Sequence, residues 1–307
     1  MELHNNNNDK ISLIDWHLHS YYSDGIYNPI ELLRIGLSAD IHTSLTDHDT
    51  VRGLKEAVDY SKPNNIKFTA GIELSTTIPG LRSVHLLGYF NSVKESELEE
   101  LEERLKPTQE ERTKRTAERL KRAHDASSLL NIQIEDLKER NPHSAYIGES
   151  HVCDTLWRKG EEYTSYEEAR SAIKRMKFWE EVPEYYTHSP RDGIRLIKKY
   201  GGVVSLAHIS RFNMNEDEEK SLIRELKDKG LDALEVISSR FKNEQIVRYL
   251  RYVNEFGLKI TVGSDYHSQG NTPNFRIGFN LDYTITDAML QDIGISREGL
   301  NNLLLLK

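Results

Sequence analysis

Along the chain, short apolar runs that end in polar, chemically active residues alternate with stretches of helical spacing. The first run, from Ile11, breaks straight into His17 and His19, two residues apart. Residues two apart on an extended strand project from one face, so both imidazoles point the same way. Asn28 followed by Pro29 then gives a helix cap with proline at the first helical position, and IELLRIGLSA continues with helical spacing. The unit repeats. IHTSLTDHDT reads as a second strand with a polar tip carrying His48, after which Thr50 is expected to cap the helix VRGLKEAVDYSK. IKFTAGIE supplies a third strand with Glu73 just past its end, and VHLLGYF a fourth with His85 near its start.

From about Val93 the pattern changes to segments dense in charge with sparse leucines. Pro107 is expected to divide them into two helices with solvated faces laced by i, i+4 pairs. A further helix is expected around SYEEARSAIKRM. Alternation resumes at Ser189-Pro190. Strands ending in His208, over LDALEVI, and ending in Asp265 and His267 are separated by two amphipathic helices. Seven strands, most followed by helices, predict an α/β fold. A parallel barrel fits better than an open dinucleotide-binding sheet, because no GxGxxG turn follows the first strand. The expected organisation is a disordered lead over 1–10, a barrel from 11–92 and 187–307, and a mainly helical insertion over 93–186.

Composition removes several classes of function. The 307 residues carry 41 basic and 49 acidic side chains, a net charge of -8, which repels long polyanions. Stable binding to long DNA is not expected, whereas a small phosphorylated substrate in a local cationic or metal-rich pocket is compatible with that balance. One cysteine, Cys153, excludes an internal disulfide framework. No run is apolar enough to cross a membrane, and the leading MELHNNNNDK lacks the apolar core of a signal peptide. A cytoplasmic protein without membrane partners is the expectation, with His4 solvated in the lead.

In α/β barrels the working residues sit where the strands end at one mouth. His17, His19, Asp24, His48, Glu73, His85, His208, Asp265 and His267 fall at that mouth, so six of the twelve histidines share one face of one fold. Imidazole and carboxylate without thiolate suit zinc, manganese or iron(II) in an open site. Nine such groups exceed the needs of one ion and match two or three divalent ions. Clustered dications activate water and stabilise phosphoryl oxygens, so hydrolysis of a phosphate ester is the expected reaction.

Seven segments also carry a resemblance. HLHSYYSDG, LTDHDT, GIELS, VHLLGY, AHISRF, LEV and GSDYH, in that order, resemble the successive motifs of the PHP (polymerase and histidinol phosphatase) phosphoesterase family. The branch most resembled comprises stand-alone nucleotide phosphatases and a related 5′ to 3′ exoribonuclease, which also carry a helical insertion after the fourth strand motif. The resemblance covers residues 13 to 90 and 187 to 268 well and the insertion loosely. It implies a distorted seven-stranded barrel and a trinuclear centre. His17, His19, Glu73 and Asp265 would hold one ion. Glu73, His85 and His208 would hold a second, and Asp24, His48 and His267 a third. Glu73 is then the bridge, a hydroxide between ions the nucleophile, and Glu73, Asp265 and His208 the catalytic core of the set. Arg211 stands where related members carry an arginine for the substrate phosphate. Arg112 and Arg115 resemble a paired arginine element of the insertion, and His151 a histidine opposite the metals.

Two positions depart from that pattern. Glu149 stands where relatives commonly have arginine, and Ile209 follows Ala207-His208 where they commonly have proline. A carboxylate at 149 weakens a second phosphate contact, which favours a monophosphate or a phosphodiester over a bisphosphate. Three other functions compete. A Cys153 nucleophile with His151 as base fails because i, i+2 on a helix places them on different faces. Exonuclease action on short RNA ends would use the same metals, with KRTAERLKR as a backbone guide. A non-catalytic metal-binding regulator would have little use for all nine ligand-type side chains.

Overall fold

The structure is a computed structural model that describes residues 13–79, 83–125, 132–159, 163–176, 179, 188–268 and 277–306. The lead over 1–10 and the expected return to the barrel at 187 lie outside these residues. Seven strands form one sheet in sequence order: β1 (Leu13–Leu18), β2 (Ile41–Leu45), β3 (Phe68–Thr76), β4 (Val84–Phe90), β5 (Val203–Leu206), β6 (Ala233–Ser238) and β7 (Lys259–Gly263). The ends of β7 and β1 come back together, with Asp265 N donating to His17 O at 3.0 Å and His19 N to Tyr266 O at 3.0 Å. The sheet therefore curls into a nearly closed barrel. Its core is apolar from Ile14 and Trp16 through Leu206 to Val262.

The barrel is not wholly parallel. β4 runs antiparallel to both β3 and β5, while the remaining pairs are parallel. The cause is connection length: only a short segment separates Thr76 from Val84. That is enough for a hairpin and too little for a crossover. Reversing β4 puts its first residues, not its last, at the mouth, which is why His85 can join residues from the ends of the other strands. Pairing with β4 also extends β3 beyond the expected limit. Glu73 lies inside that strand opposite Leu87 instead of past its end.

Helix α1 (Pro29–Ser38) starts as the sequence predicts, with the Asn28 side chain accepting from Glu31 N and Pro29 at the first position. Helix α2 (Leu54–Ser61) does not start at Thr50. It begins behind Gly53, and the Thr50 hydroxyl donates instead to Glu102 Oε2 at 2.9 Å. Helix α3 (Glu95–Asp125) runs through Pro107 unbroken. Proline in a helix interior costs about 3 kcal/mol. Here Leu101 and Leu105 before it, and Thr108 and Gln109 after it, are all buried on one stripe, so packing holds both halves in line. The outer face carries the expected i, i+4 pairs, Glu100 with Arg104 and Glu118 with Arg122. The inner face buries Arg112, Arg115 and Arg119, which the solvated expectation did not include.

Leu98, Leu101 and Leu105 of α3 belong to the barrel core, whereas Leu120 and Ala123 belong to a second apolar cluster. That cluster is completed by α4 (Ile134–Arg140), α5 (Glu149–Lys159), α6 (Tyr166–Arg175) and Trp179. Helix α7 (Pro190–Lys199) returns to the barrel behind a Ser189 cap and buries Ile194 and Ile197. Each such side chain contributes roughly 1.5–3 kcal/mol on burial. Helices α8 (Glu216–Asp228) and α9 (Asn243–Phe256) cover the last strands. No helix among the described residues is long and apolar enough to cross a membrane.

Candidate metal centre

The mouth is built by strands that end in chemistry. β1 delivers His17 and His19, both with no exposed surface. The chain can pass so close only because two neighbours lack side chains. A Cβ at Gly263 would lie 2.1 Å from the His17 Cβ, and one at Gly25 would lie 2.1 Å from the His19 carbonyl oxygen. Asp49, His208 and Asp265 take positive φ angles of 51°, 45° and 57°. Left-handed backbone on residues other than glycine costs of order 1–3 kcal/mol each and concentrates at functional sites.

Glu73 is the hub. Its Oε2 lies 3.0 Å from His17 Nε2, 3.1 Å from His19 Nε2 and 3.1 Å from His48 Nδ1. Its Oε1 lies 2.7 Å from His85 Nδ1 and 2.8 Å from His208 Nε2. Asp265 Oδ1 faces His19 Nε2 at 3.3 Å and His17 Nε2 at 3.6 Å. Asp24 Oδ1 stands 3.3 Å from His267 Nε2. The fold thus brings together all nine side chains singled out in the sequence. Three subsets have ligand atoms mutually within 4.8 Å: His17, His19, Glu73 and Asp265; His19, Asp24, His48 and His267; and His48, Glu73 and His85. The first equals the first set implied by the resemblance, and the second adds His19 to the third set. In the last, His48 stands in the group where His208 was expected, although His208 meets the same Glu73 oxygen as His85.

Charge and hydrogen bonding give a separate test of whether cations fit. Burial opposes ionisation of Glu73, but His48, His17 and His85 outweigh it and hold the carboxyl well below the usual range. Burial likewise opposes charge on Asp265, and Arg211, His19, His17 and His267 hold it low. Burial, with Arg211 beside it, pushes His208 down to about 3, so that ring is neutral. Ionised carboxylates and neutral imidazoles are the forms that bind metal. Burial pushes His48 down as well. Against burial, Glu73 with Glu235 raises His17, and Asp265 with Glu73 raises His19 to about 9, so cations entering there would displace protons. Both Asp265 carboxylate oxygens, Asp24 Oδ1, both His19 ring nitrogens, His48 Nδ1, His85 Nε2 and His208 Nδ1 are buried without a well-formed hydrogen bond. Buried polar atoms are rarely left so. An oxygen and imidazole donor set without sulfur fits divalent manganese, iron or zinc.

An outer layer supports this set, and the sequence did not single it out. Glu235, inside the LEV segment of β6, accepts from His17 Nδ1 at 2.9 Å and so aims Nε2 at the centre. Burial pushes the Glu235 carboxyl up to about 7. Asp15 accepts from the Ser264 and Gly278 amides, each at 2.9 Å. Asp47 accepts from Ser20 N at 2.7 Å, Ser20 Oγ at 2.6 Å and Ser23 Oγ at 2.6 Å, bracing the loop that carries Asp24. An acidic residue inside an apolar strand was the available signal for Glu235 and Asp15.

The substrate-side residues fare differently. Arg211 reaches the centre, with Nη2 3.2 Å from Asp265 Oδ2 and Nη1 3.3 Å from His208 Nε2. Arg240, from the turn after β6, approaches the same Asp265 oxygen at 3.8 Å. Arg112 donates to Asp49 Oδ2 at 2.5 Å and Ser75 Oγ at 3.1 Å, and its guanidinium lies 3.8 Å from the centre of the Tyr146 ring. It ties the insertion to the mouth. Arg115 is buried on the same face of α3. His151 has both ring nitrogens engaged by backbone, Nε2 with Ser23 O at 3.0 Å and Nδ1 with Gly148 N at 3.0 Å. Cys153 is buried in the second apolar cluster. Glu149 accepts from Trp179 Nε1 at 2.9 Å and lies 3.6 Å from Arg119 and 3.9 Å from Arg170.

No family model matches the chain. Similar proteins nonetheless span nearly all of it. A 5′-3′ exoribonuclease of Haemophilus influenzae is 26% identical over 276 residues, covering 87% of this chain and 94% of its own. A 3′,5′-nucleoside bisphosphate phosphatase of Chromobacterium violaceum is 26% identical over 261 residues, covering 84% and 88%. The crystal structure of a proposed metal-dependent phosphoesterase from Bifidobacterium adolescentis superposes with a TM-score of 0.73 at 27% identity, covering 93% of this chain and 98% of that one. A barrel of this topology, the ligand-type cluster at its mouth and relatives of matching length make the chain a metal-dependent phosphoesterase, and its seven ordered motifs remain similar to those of PHP proteins.

Proposed function

We propose that the mouth hydrolyses the phosphate ester of a small phosphorylated metabolite, a nucleotide, with two or three divalent ions. The observation that carries this is the meeting of five imidazoles on the two oxygens of Glu73. His17, His19, Glu73 and Asp265 would hold one ion, Glu73, His85 and His208 a second, and Asp24, His48 and His267 a third. Bound dications lower the pKa of water towards neutrality and polarise the phosphoryl oxygen. Glu73 is shared between two of these sets, so it fixes their spacing. Glu235 keeps His17 in one tautomer, and Arg211 meets the charge of the phosphoryl group with a planar guanidinium. The buried, single Cys153 fits a reducing cytoplasmic setting.

The insertion, as a cap over 93–186, closes the mouth from the side of Arg112, Arg115 and His151. Arg112 and His151 act there through Asp49, Ser75 and the Ser23 carbonyl, which shape the pocket wall. A second reading, removal of nucleotides from the 5′ end of short RNA, is favoured by the Haemophilus relative's name. A screen of mononucleotides, nucleotide bisphosphates, sugar phosphates and short RNAs with added manganese, beside a chelated control, separates the two. Release of phosphate from mononucleotides supports the first. Release of nucleotides from RNA alone supports the second, and no turnover of any substrate leaves a metal-binding protein without catalysis.

A further inference from the structure

Two arginines converge on one carboxylate oxygen at the mouth. Arg211 arrives from the turn after β5, with Nη2 3.2 Å from Asp265 Oδ2, and Arg240 from the turn after β6, with Nε 3.8 Å from the same atom. Their side chains remain 31% and 33% exposed, so each keeps a side towards solvent while Asp265 is almost fully enclosed. Burial lowers the pKa of Arg240, and Asp265, Arg211, Arg170 of α6 and Glu167 are the charges around it. Glu149 lies 3.9 Å from Arg170 and 3.6 Å from Arg119.

We propose that Arg240 is a second phosphoryl-binding residue, which works with Arg211 to select a terminal phosphate monoester over a diester. This deepens the phosphoesterase assignment of the mouth and rests on it. Asp265 is among the residues proposed to hold a dication, and a carboxylate committed to a dication offers less charge to two guanidiniums. An anionic oxygen of the substrate at the mouth then offers both exposed guanidiniums a further acceptor. A monoester terminus carries close to two negative charges near neutral pH and three non-bridging oxygens. It can face dications and a guanidinium pair at once. A diester carries one charge and two such oxygens, so the same pair finds less to hold. Arginine stays protonated at every working pH, which makes this a fixed charge that neither gives nor takes a proton. Arg240 was invisible to motif reasoning because it follows the LEV segment on a turn, with no histidine or carboxylate beside it in sequence.

The test uses the full chain reconstituted with manganese, with metal content measured for every variant. kcat/KM is determined for p-nitrophenyl phosphate and for bis(p-nitrophenyl) phosphate, and inorganic phosphate binding is followed by calorimetry. Losing one charge-assisted contact corresponds to about a 10- to 100-fold effect. Arg240→Gln is therefore expected to lower monoester kcat/KM and phosphate affinity by that amount, with a clearly smaller loss on the diester. Arg240→Lys is expected to recover part of the monoester loss. Equal losses on both esters at equal metal content, or an unchanged phosphate affinity, would overturn the assignment. Should the glutamine variant fail a thermal-melting check, the monoester-to-diester ratio of Arg240→Lys against the unaltered chain decides in the same way. If the unaltered chain hydrolyses neither ester, the phosphoesterase assignment fails instead, and phosphate calorimetry still reports on Arg240.

Discussion

On the barrel side of the mouth, Glu73, Asp24, Asp265 and six histidines crowd together with many buried atoms lacking a hydrogen bond. On the facing helix α3, the buried arginines meet protein groups: Arg112 meets Asp49, Ser75 and Tyr146, and Arg119 meets Glu149 and Trp179. The first region is a set of donors that the chain alone cannot satisfy. The second is largely satisfied from within. Unsatisfied donors await something from solution, whereas paired buried charges hold one segment against another. In the proposed function, this contrast gives chemistry to the barrel and positioning to the insertion.

The sharpest way to break that contrast is at its hub. Glu73→Gln is expected to lower kcat by about 10²- to 10³-fold or more, in line with loss of a central electrostatic group. Metal content measured on the purified variant should fall with it, and full metal loading with full activity would remove Glu73 from the centre. Next in size is Arg112→Met, which leaves the fully buried Asp49 carboxylate without its guanidinium partner. Urea unfolding should show a loss of roughly 2–3 kcal/mol, with a smaller change in kcat than at Glu73. A catalytic loss without a stability loss would instead place Arg112 on the substrate.

Glu235→Gln sharpens the distinction inside the barrel itself. Removing an outer partner of a ligating histidine lowers metal affinity about 10- to 100-fold, which competition with a chelating dye would measure. It also predicts a change in the pH dependence of the metal-free protein. The Glu235 carboxyl rises from an ordinary 4.5 to about 7 in the fold. The folded chain therefore holds the extra proton in that window, so this group's contribution to stability declines as pH climbs from about 4.5 to 7. Melting temperatures across that range should decline less steeply in the glutamine variant. The smallest effect belongs to Glu149→Gln, which keeps an acceptor for Trp179 Nε1 and removes only a partly exposed charge 3.6 Å and 3.9 Å from two arginines. Stability should change by no more than about 1 kcal/mol. A larger loss would mean that the insertion depends on that charge as strongly as the barrel depends on its own.

How far the sequence spoke follows from the range of the forces involved. Strand ends rich in histidine were legible because period two and an abrupt polar stop are local signals, and all nine residues they gave do converge. The reversal of β4 was not legible from periodicity, since strand direction depends on the length of the connection after Thr76. Glu73 was placed outside β3 for the same reason: its backbone partner, Leu87, lies on the reversed strand. Pro107 carried a local helix-breaking signal that tertiary packing on Leu101, Leu105 and Gln109 overrode. Glu235 and Asp15 gave only the signal of an acid inside an apolar strand, and neither they nor Asp47 showed their role, because an orienting carboxylate is defined by the partner it meets across the barrel. Buried arginines on α3 looked like any solvated charged face until the facing surface was known.

The reversed strand has one more consequence, for reach. Because β4 points away from the mouth, the chain leaves it at Phe90 on the far end of the barrel and must travel back the full height of the wall. Seven residues of strand span about 23 Å, and the helical climb from Glu97 to Arg112 covers about 22 Å. The early part of α3 is thus a measured spacer, and excising a single turn from it would leave Arg112 about 5 Å short of Asp49.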